Sequence, residues 1–333
     1  MSRRKRHLLL IDGQDSFARQ VGDQKDPVRA YQEQQKLHRG ELCVPGGWEA
    51  LVNVADMINL HGNQFDDMTF TFDCHQLLHI AHAIWFRWMS KPKEAFITVD
   101  GRNVPTYQEM NVRGQLAYGP SPFTTMVEEN GAIFNGVLDC KGNLHKIGQI
   151  QCTHLGFTSW TTSYLRKLRE SGRYPHMIWP NHCLIGTDGN RLIEPIQDAM
   201  FAWEQREFGV VNKITKGSNM KTEHFGAVHA EVEDPDDVAT KVNTHFIGLL
   251  SDPDQEIVIC GLARGHCLAN TARDIAAQFP DPDSFIKRLV LLKDGTADVP
   301  GLEFLGDNFV NEFQPRGMQV TTCKEYFGSS VLV

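Results

Sequence analysis

Short apolar runs alternate along the chain with longer amphipathic stretches. HLLLID (7–12), MTFTFD (68–73), GVVNKI (209–214), EIVICGL (256–262) and RLVLLKD (288–294) are each followed by a turn and a segment of helical spacing, and MQVTT (318–322) is a weaker sixth. Continuous rather than alternating apolar residues suit parallel strands covered on both faces. WEALVNVADMINL (48–60) and NTARDIAAQF (270–279) carry the three-and-four spacing of helices with one apolar face. Strands alternating with helices predict an α/β fold: a doubly wound, mostly parallel six-stranded sheet with helices on both faces.

The spacing is uneven. Far more chain separates the second and third runs than one crossover helix needs, so 76–178 reads as a large α+β insertion in a domain built from 1–75 and 179–333. HQLLHIAHAIWFRWM (75–89), where it opens, is helical in pattern. β-like pieces follow, EAFITVDGRN and GAIFNGVLDCKGNLHKIGQI, and SYLRKLRESGRYP closes it. A smaller extension over roughly 18–39 is rich in Gln and charge.

Composition narrows the function classes. The 333 residues are 41% hydrophobic, enough for a globular core, and the net charge of −8 argues against nucleic acid or an anionic membrane as the main partner. The basic run Arg3–Arg6 leads into apolar residues that Asp12 soon interrupts, too short a stretch for a signal peptide. No stretch approaches the roughly 18 apolar residues of a membrane span. The eight cysteines include no CxxC pair, so free thiols in a reducing compartment are expected, and with them a cytoplasmic location. A homo-oligomer is left open.

In open parallel sheets ligands bind at the carboxyl ends of the strands. The first run ends in Asp12, the second in Asp73 with His75 beyond, the third leads to Lys213 and Lys216, and the fourth to Cys267. A cysteine at the start of a helix gains from unpaired N–H groups and the helix dipole, which favour a thiolate and a developing oxyanion. A thiol, a carboxylate to take its proton and a lysine to stabilise negative charge suffice for amide hydrolysis through a thioester. Asp73 and His75, with His79 and His82 on the next turns and His182 in WPNHC (179–183), make a candidate metal set. Such a set leaves coordination positions open, which favours zinc, with iron and manganese as alternatives. Each residue also has a plainer role: Asp as a turn or cap, Cys as a small core residue, Lys as a surface cation.

Taken in order, these segments resemble the isochorismatase-like cysteine hydrolases, and within them the nicotinamidases. Asp12-Gly13-Gln14-Asp15-Ser16-Phe17 is similar to D-x-Q-x-D-F, and Gly40-Glu41-Leu42-Cys43-Val44-Pro45-Gly46 to G-x-L-x-V-P-G. Asp73-Cys74-His75 with His79, Trp179-Pro180-Asn181-His182-Cys183, Lys216-Gly217-Ser218 and Gly261-Leu262-Ala263-Arg264-Gly265-His266-Cys267 continue the match. The resemblance implies Cys267 as nucleophile, Asp12 as general base and later acid, and Lys216 as electrostatic stabiliser. Lys216 is preferred to Lys213 because its spacing to Phe225 matches the family's lysine-to-tyrosine spacing. The resemblance also implies a cis peptide between Leu262 and Ala263, and an oxyanion hole from the amides of Ala263 and Cys267.

Further implications are a divalent metal on Asp73, His75 and His182, sometimes with His79, that binds the pyridine nitrogen. Phe17, Trp179 and Phe225 would line the ring slot. The activity implied is hydrolysis of nicotinamide to nicotinate and ammonia, in pyridine-nucleotide salvage. A related amidase or carbamoyl hydrolase is the alternative within the class, and a catalytically silent binding protein using the insertion is the alternative outside it. The chain departs from the family at Arg264-Gly265 for Thr-Asp, Cys74 for an aromatic and Phe225-Gly226 for Tyr-Ser, positions expected to face substrate. The insertion enters just after the metal motif and returns at Trp179, so it is expected to cap the pocket or to make a subunit contact.

Overall fold

The computed structural model describes residues 4–19, 40–112 and 115–328; most of the 18–39 extension lies outside them. Six strands form the central sheet: β1 (Lys5–Ile11), β2 (Asp67–Asp73), β3 (Asn212–Lys216), β4 (Gln255–Leu262), β5 (Leu289–Ala297) and β6 (Gln319–Thr321). Their spatial order is β3-β2-β1-β4-β5-β6, and every neighbouring pair is parallel. Because side chains alternate across a strand, β1 feeds two cores. Leu8 and Leu10 join Val258, Cys260, Val290 and Leu292 beneath helices α1 (Gly47–His61) and α3 (Glu194–Glu207). Leu9 and Ile11 join Ile257, Ile259, Leu289 and Leu291 beneath helices α4 (Ala269–Ala276) and α5 (Glu303–Phe313). Burial on both faces is what the continuous apolar runs predict.

The chain moves outward from β1 to β2 and β3, then returns to the other side of β1 as β4. The order therefore reverses between β1 and β4, where an open parallel sheet leaves a crevice at its carboxyl edge. Asp12 and Cys267 follow those two strands.

Between β2 and β3 a second, antiparallel sheet runs in the order His176–Met177, Thr125–Glu129, Ala132–Leu138, Leu144–Cys152, Phe86–Trp88. Helix α2 (Thr158–Ser171) packs on it through Tyr164, Leu165 and Leu168, around a core with Trp85, Phe86, Ile133 and Ile150. Two hairpins, Phe96–Val99 with Arg102–Pro105 and Tyr107–Val112 with Gln115–Pro120, complete the segment. Among the described residues no helix is long and apolar enough to cross a membrane.

Two sequence expectations need correction. HQLLHIAHAIWFRWM is not a helix: it holds a 3-10 turn (Ala83–Trp85) and the strand Phe86–Trp88. Its backbone pairs with distant chain instead, Ile80 N–H donating to the Met220 carbonyl and the Ala81 carbonyl accepting from Trp179 N–H. Tertiary pairing overrides local periodicity there. The third strand begins at Asn212 rather than at Gly209. Phe208 closes α3 in the left-handed region at φ 52°, and a Cβ on Gly209 would meet the Trp203 ring at 2.5 Å, so 208–211 is the helix exit.

Candidate active site

Four strand ends deliver the chemistry. Lys216 and Asp73 are paired in register at the ends of β3 and β2, and Asp12 directly follows β1. Lys216 Nζ lies 3.1 Å from Asp12 Oδ2, 3.0 Å from Asp73 Oδ1 and 3.6 Å from Cys267 Sγ. Thr71 Oγ1 donates to Asp12 Oδ1 at 2.6 Å and accepts from the Asp12 amide at 3.1 Å, which fixes the carboxylate against β2. Gly217 makes room for the cluster: it sits at φ 79°, and a Cβ there would come within 2.8 Å of Asp73 Oδ1. Lys213, the other candidate, points out to Glu204 at 3.3 Å.

Cys267 is half-buried in a π-helical turn (Arg264–Leu268) that runs into α4. The peptide bond between Leu262 and Ala263 is cis. Arg264 answers one question the sequence leaves open. Its guanidinium bonds to Asp298 and, at 3.2 Å, to Asp307 on α5, so it turns away from the thiol. Gly265 belongs to the same packing: a Cβ there would lie 2.6 Å from the amide nitrogen of Gly306. The Arg-Gly pair, expected from sequence to face substrate, instead packs the turn that carries Cys267 against Asp298 and α5.

Burial and charge act in opposition. Burial raises the Asp12 carboxyl above its ordinary value, more than Lys216 lowers it, and Asp73 adds to the rise. Burial would raise Asp73 too, but His75 and Lys216, with hydrogen bonds from His182 and His75, hold it well below the usual range. Lys216 would lose its proton through burial, yet Asp12 first and then Asp73 raise it well above its ordinary value and keep it charged. Burial pushes the Cys267 thiol well up despite Lys216, so its resting form is neutral. A neutral thiol beside a carboxyl of raised proton affinity and a fixed ammonium can transfer a proton and then carry negative charge.

Asp73 joins this group to a second one. Its Oδ2 lies 3.0 Å from His75 Nε2 and 3.3 Å from His182 Nε2. Ligands about 2.1 Å from one ion stand roughly 3.0 to 3.4 Å apart, so the three side chains fit a metal ion. His182 Nδ1–H donates to the Pro180 carbonyl at 2.8 Å, which fixes the ring with Nε2, rather than Nδ1, toward Asp73. The fold-back of WPNHC comes from backbone pairing. The His75 amide donates to the Cys183 carbonyl, and the Ile185 amide donates to the His75 carbonyl.

Gln14 clamps the backbone of Asp73, accepting from its amide at 2.7 Å and donating to its carbonyl at 2.8 Å. Ser16 accepts from the Cys183 amide at 2.8 Å and donates to buried Glu41 at 2.6 Å. These contacts explain the Gln, Ser and Glu of the two N-terminal motifs. Asp15 is buried in ion pairs with Arg19 and Arg191.

Glu223 is the residue that sequence reading missed. It and His79 form a second group with His75 whose ligand atoms all lie within 4.8 Å of one another. Glu223 Oε2, His75 Nδ1, His79 Nε2 and His82 Nε2 are buried without a hydrogen-bond partner among the described residues, an arrangement a bound polar molecule would satisfy. The Ala81 amide donates to His79 Nδ1 at 3.1 Å, so a neutral His79 carries its proton on Nε2, the reverse of His182. No spacing rule pointed to Glu223, which sits seven positions past Lys216 in an irregular segment.

Of the expected ring contacts, Phe17 lies edge-on to His182 at 5.6 Å and Trp179 edge-on to His266 at 6.1 Å. Phe225 instead packs edge-on to Tyr174 at 5.6 Å, against the core beneath α2.

Comparison of the whole fold with solved structures gives the yeast nicotinamidase Pnc1p, at a TM-score of 0.52 and 15% identity over 95% of this chain and 99% of that one. The chain has the fold of a nicotinamidase. The same yeast protein bound to the inhibitor nicotinaldehyde matches equally, at a TM-score of 0.52 and 15% identity, over 95% of this chain and 99% of that one. The Acinetobacter baumanii nicotinamidase/pyrazinamidase matches at a TM-score of 0.53 and 14% identity over 98% of this chain and 99% of that one. No family model and no curated sequence matches the chain. At these identities the likeness to the nicotinamidases is one of fold, and the chemistry rests on the residues themselves.

Proposed function

We propose that the chain is a metal-dependent cysteine amidohydrolase of the isochorismatase-like family that converts nicotinamide and water to nicotinate and ammonia. One observation carries the reading: Lys216 Nζ lies within 3.6 Å of Cys267 and within 3.1 Å of both Asp12 and Asp73, so thiol, base, cation and metal ligand form one buried group. In this reading Cys267 Sγ attacks the carboxamide carbon while Asp12 takes the thiol proton. The amides of Ala263 and Cys267 receive the oxyanion, and Lys216 offsets the charge. Asp12 then returns the proton to the leaving nitrogen, ammonia departs and a thioester remains. Water, deprotonated by Asp12, attacks the thioester and releases nicotinate, and Cys267 regains its proton.

Asp73, His75 and His182 would hold the metal. His79, the further candidate that the family resemblance adds, accepts from the Ala81 amide at Nδ1 and carries its proton on Nε2, so it is a hydrogen-bond donor to the cluster rather than a ligand. Their mixed nitrogen and oxygen donors suit zinc first, and iron or manganese next. A divalent ion there supplies a Lewis-acid position for a pyridine nitrogen. Phe17 and Trp179 would flank the ring, with Phe225 further out. Residues 1–75 and 179–333 make the hydrolase domain, and 76–178 an inserted subdomain that caps the pocket.

Ammonia release from nicotinamide by the purified protein tests this reading. Turnover in metal-replete buffer that chelation removes is expected, and no release with metal present overturns the choice of nicotinamide. Release from another small amide only, still dependent on Cys267, would favour the related-amidase reading.

A further inference from the structure

The 76–178 segment brings one aromatic ring to the rim of this site. Phe123 sits at φ 62°, a backbone region in which a bulky residue is uncommon, and the residue is 47% exposed. Backbone bonds lock it there: its amide donates to the Ile178 carbonyl at 2.7 Å, and the Ile178 amide donates to the Thr124 carbonyl at 2.8 Å. On the other side the Trp179 amide donates to the Ala81 carbonyl at 2.8 Å. Residues 79–82, 178–179 and 123–124 therefore lie side by side in that order. The rings follow the same order. Phe123 meets Trp179 edge-on at 6.0 Å and 90°, and Trp179 meets His266, next to the nucleophile, at 6.1 Å and 82°.

We propose that Phe123 is a specificity residue, the outer wall of an aromatic slot that selects flat ring carboxamides over aliphatic ones. Core packing does not account for a half-exposed residue in a disfavoured backbone state. A planar substrate lying along Trp179 would cover that ring, and the chain would gain apolar contact only when the substrate carries a ring. The inference deepens the amidohydrolase reading and rests on it.

Steady-state kinetics with nicotinamide compare the wild type with Phe123→Ala and Phe123→Tyr. Losing one aromatic contact corresponds to roughly a tenfold rise in KM for Phe123→Ala with kcat within about twofold, while Phe123→Tyr stays near wild type. An unchanged KM, or a fall in kcat and melting temperature alone, overturns the proposal. If the wild type does not hydrolyse nicotinamide, the proposed reaction fails, and calorimetric titration with nicotinate then tests the slot separately. Binding weakened about tenfold by Phe123→Ala sustains the slot. Equal binding, or none to the wild type, refutes it.

Discussion

Replacing Lys216 by Met removes the single cation between two buried carboxylates, at 3.1 and 3.0 Å, and leaves its apolar stem in place. At an effective dielectric near 20 each contact carries about 5 kcal/mol of Coulomb attraction. Desolvation of the ammonium offsets much of this, and breaking a buried pair by removing one partner costs roughly 3–5 kcal/mol net. That loss is expected at pH 7 in urea unfolding of the chelated protein. The sign of its pH dependence follows from Asp12. Its carboxyl is already raised, and without Lys216 it rises further, so the folded variant binds a proton that the unfolded chain releases. The deficit should shrink as pH falls from 7 to 5. Adding Asp12→Asn to the variant should recover at least about 1 kcal/mol, the coupling expected of neighbours. A deficit under about 1 kcal/mol, as for an exposed pair, or one that is flat with pH and uncoupled from Asp12, would refute the charge balance described here.

Other expectations follow from the same geometry. Asp73→Asn should lower bound metal measured by elemental analysis after dialysis, and full metal content would remove Asp73 from the ligand set. Gly265→Ala pushes a methyl toward the Gly306 amide 2.6 Å away. It should cost about 1–3 kcal/mol in stability and lower kcat with KM held, and a silent variant would show that the turn does not depend on this seat. Burial lowers His7 to about 4, against 6.5 in the open chain. The stability this neutral ring contributes above 6.5 is lost as pH falls toward 4, so His7→Gln should reduce proton uptake on acid unfolding by about one, and an identical acid limb would contradict it.

The sheet was legible because strands buried on both faces carry unbroken apolar runs, Leu8–Ile11 in β1, Ile257–Cys260 in β4 and Leu289–Leu292 in β5, while β2 alternates its Phe with buried Thr. The candidate site was legible to the extent that it sits at strand ends: register pairs Asp73 with Lys216, Asp12 directly follows β1, and Cys267 lies in the turn that follows β4. What sequence hid was long-range pairing. The histidine-bearing stretch after β2 has helical spacing, but its backbone is taken by residues near 179 and 220, and nothing local encodes that. His182 and Glu223 reach the cluster by the same non-local route. Arg264-Gly265 misled for a related reason: its partners are distant in sequence, Asp298 just past β5 and Gly306 and Asp307 on α5.

In the proposed reaction Cys267 forms a thioester with a carboxamide substrate. Acid quench of the metal-loaded protein during turnover of nicotinamide, followed by peptide mass analysis, reads this directly. A nicotinoyl adduct is predicted on the peptide that holds Cys267, absent from Cys267→Ala along with ammonia release. Turnover without an adduct that persists undiminished in Cys267→Ala would contradict the account.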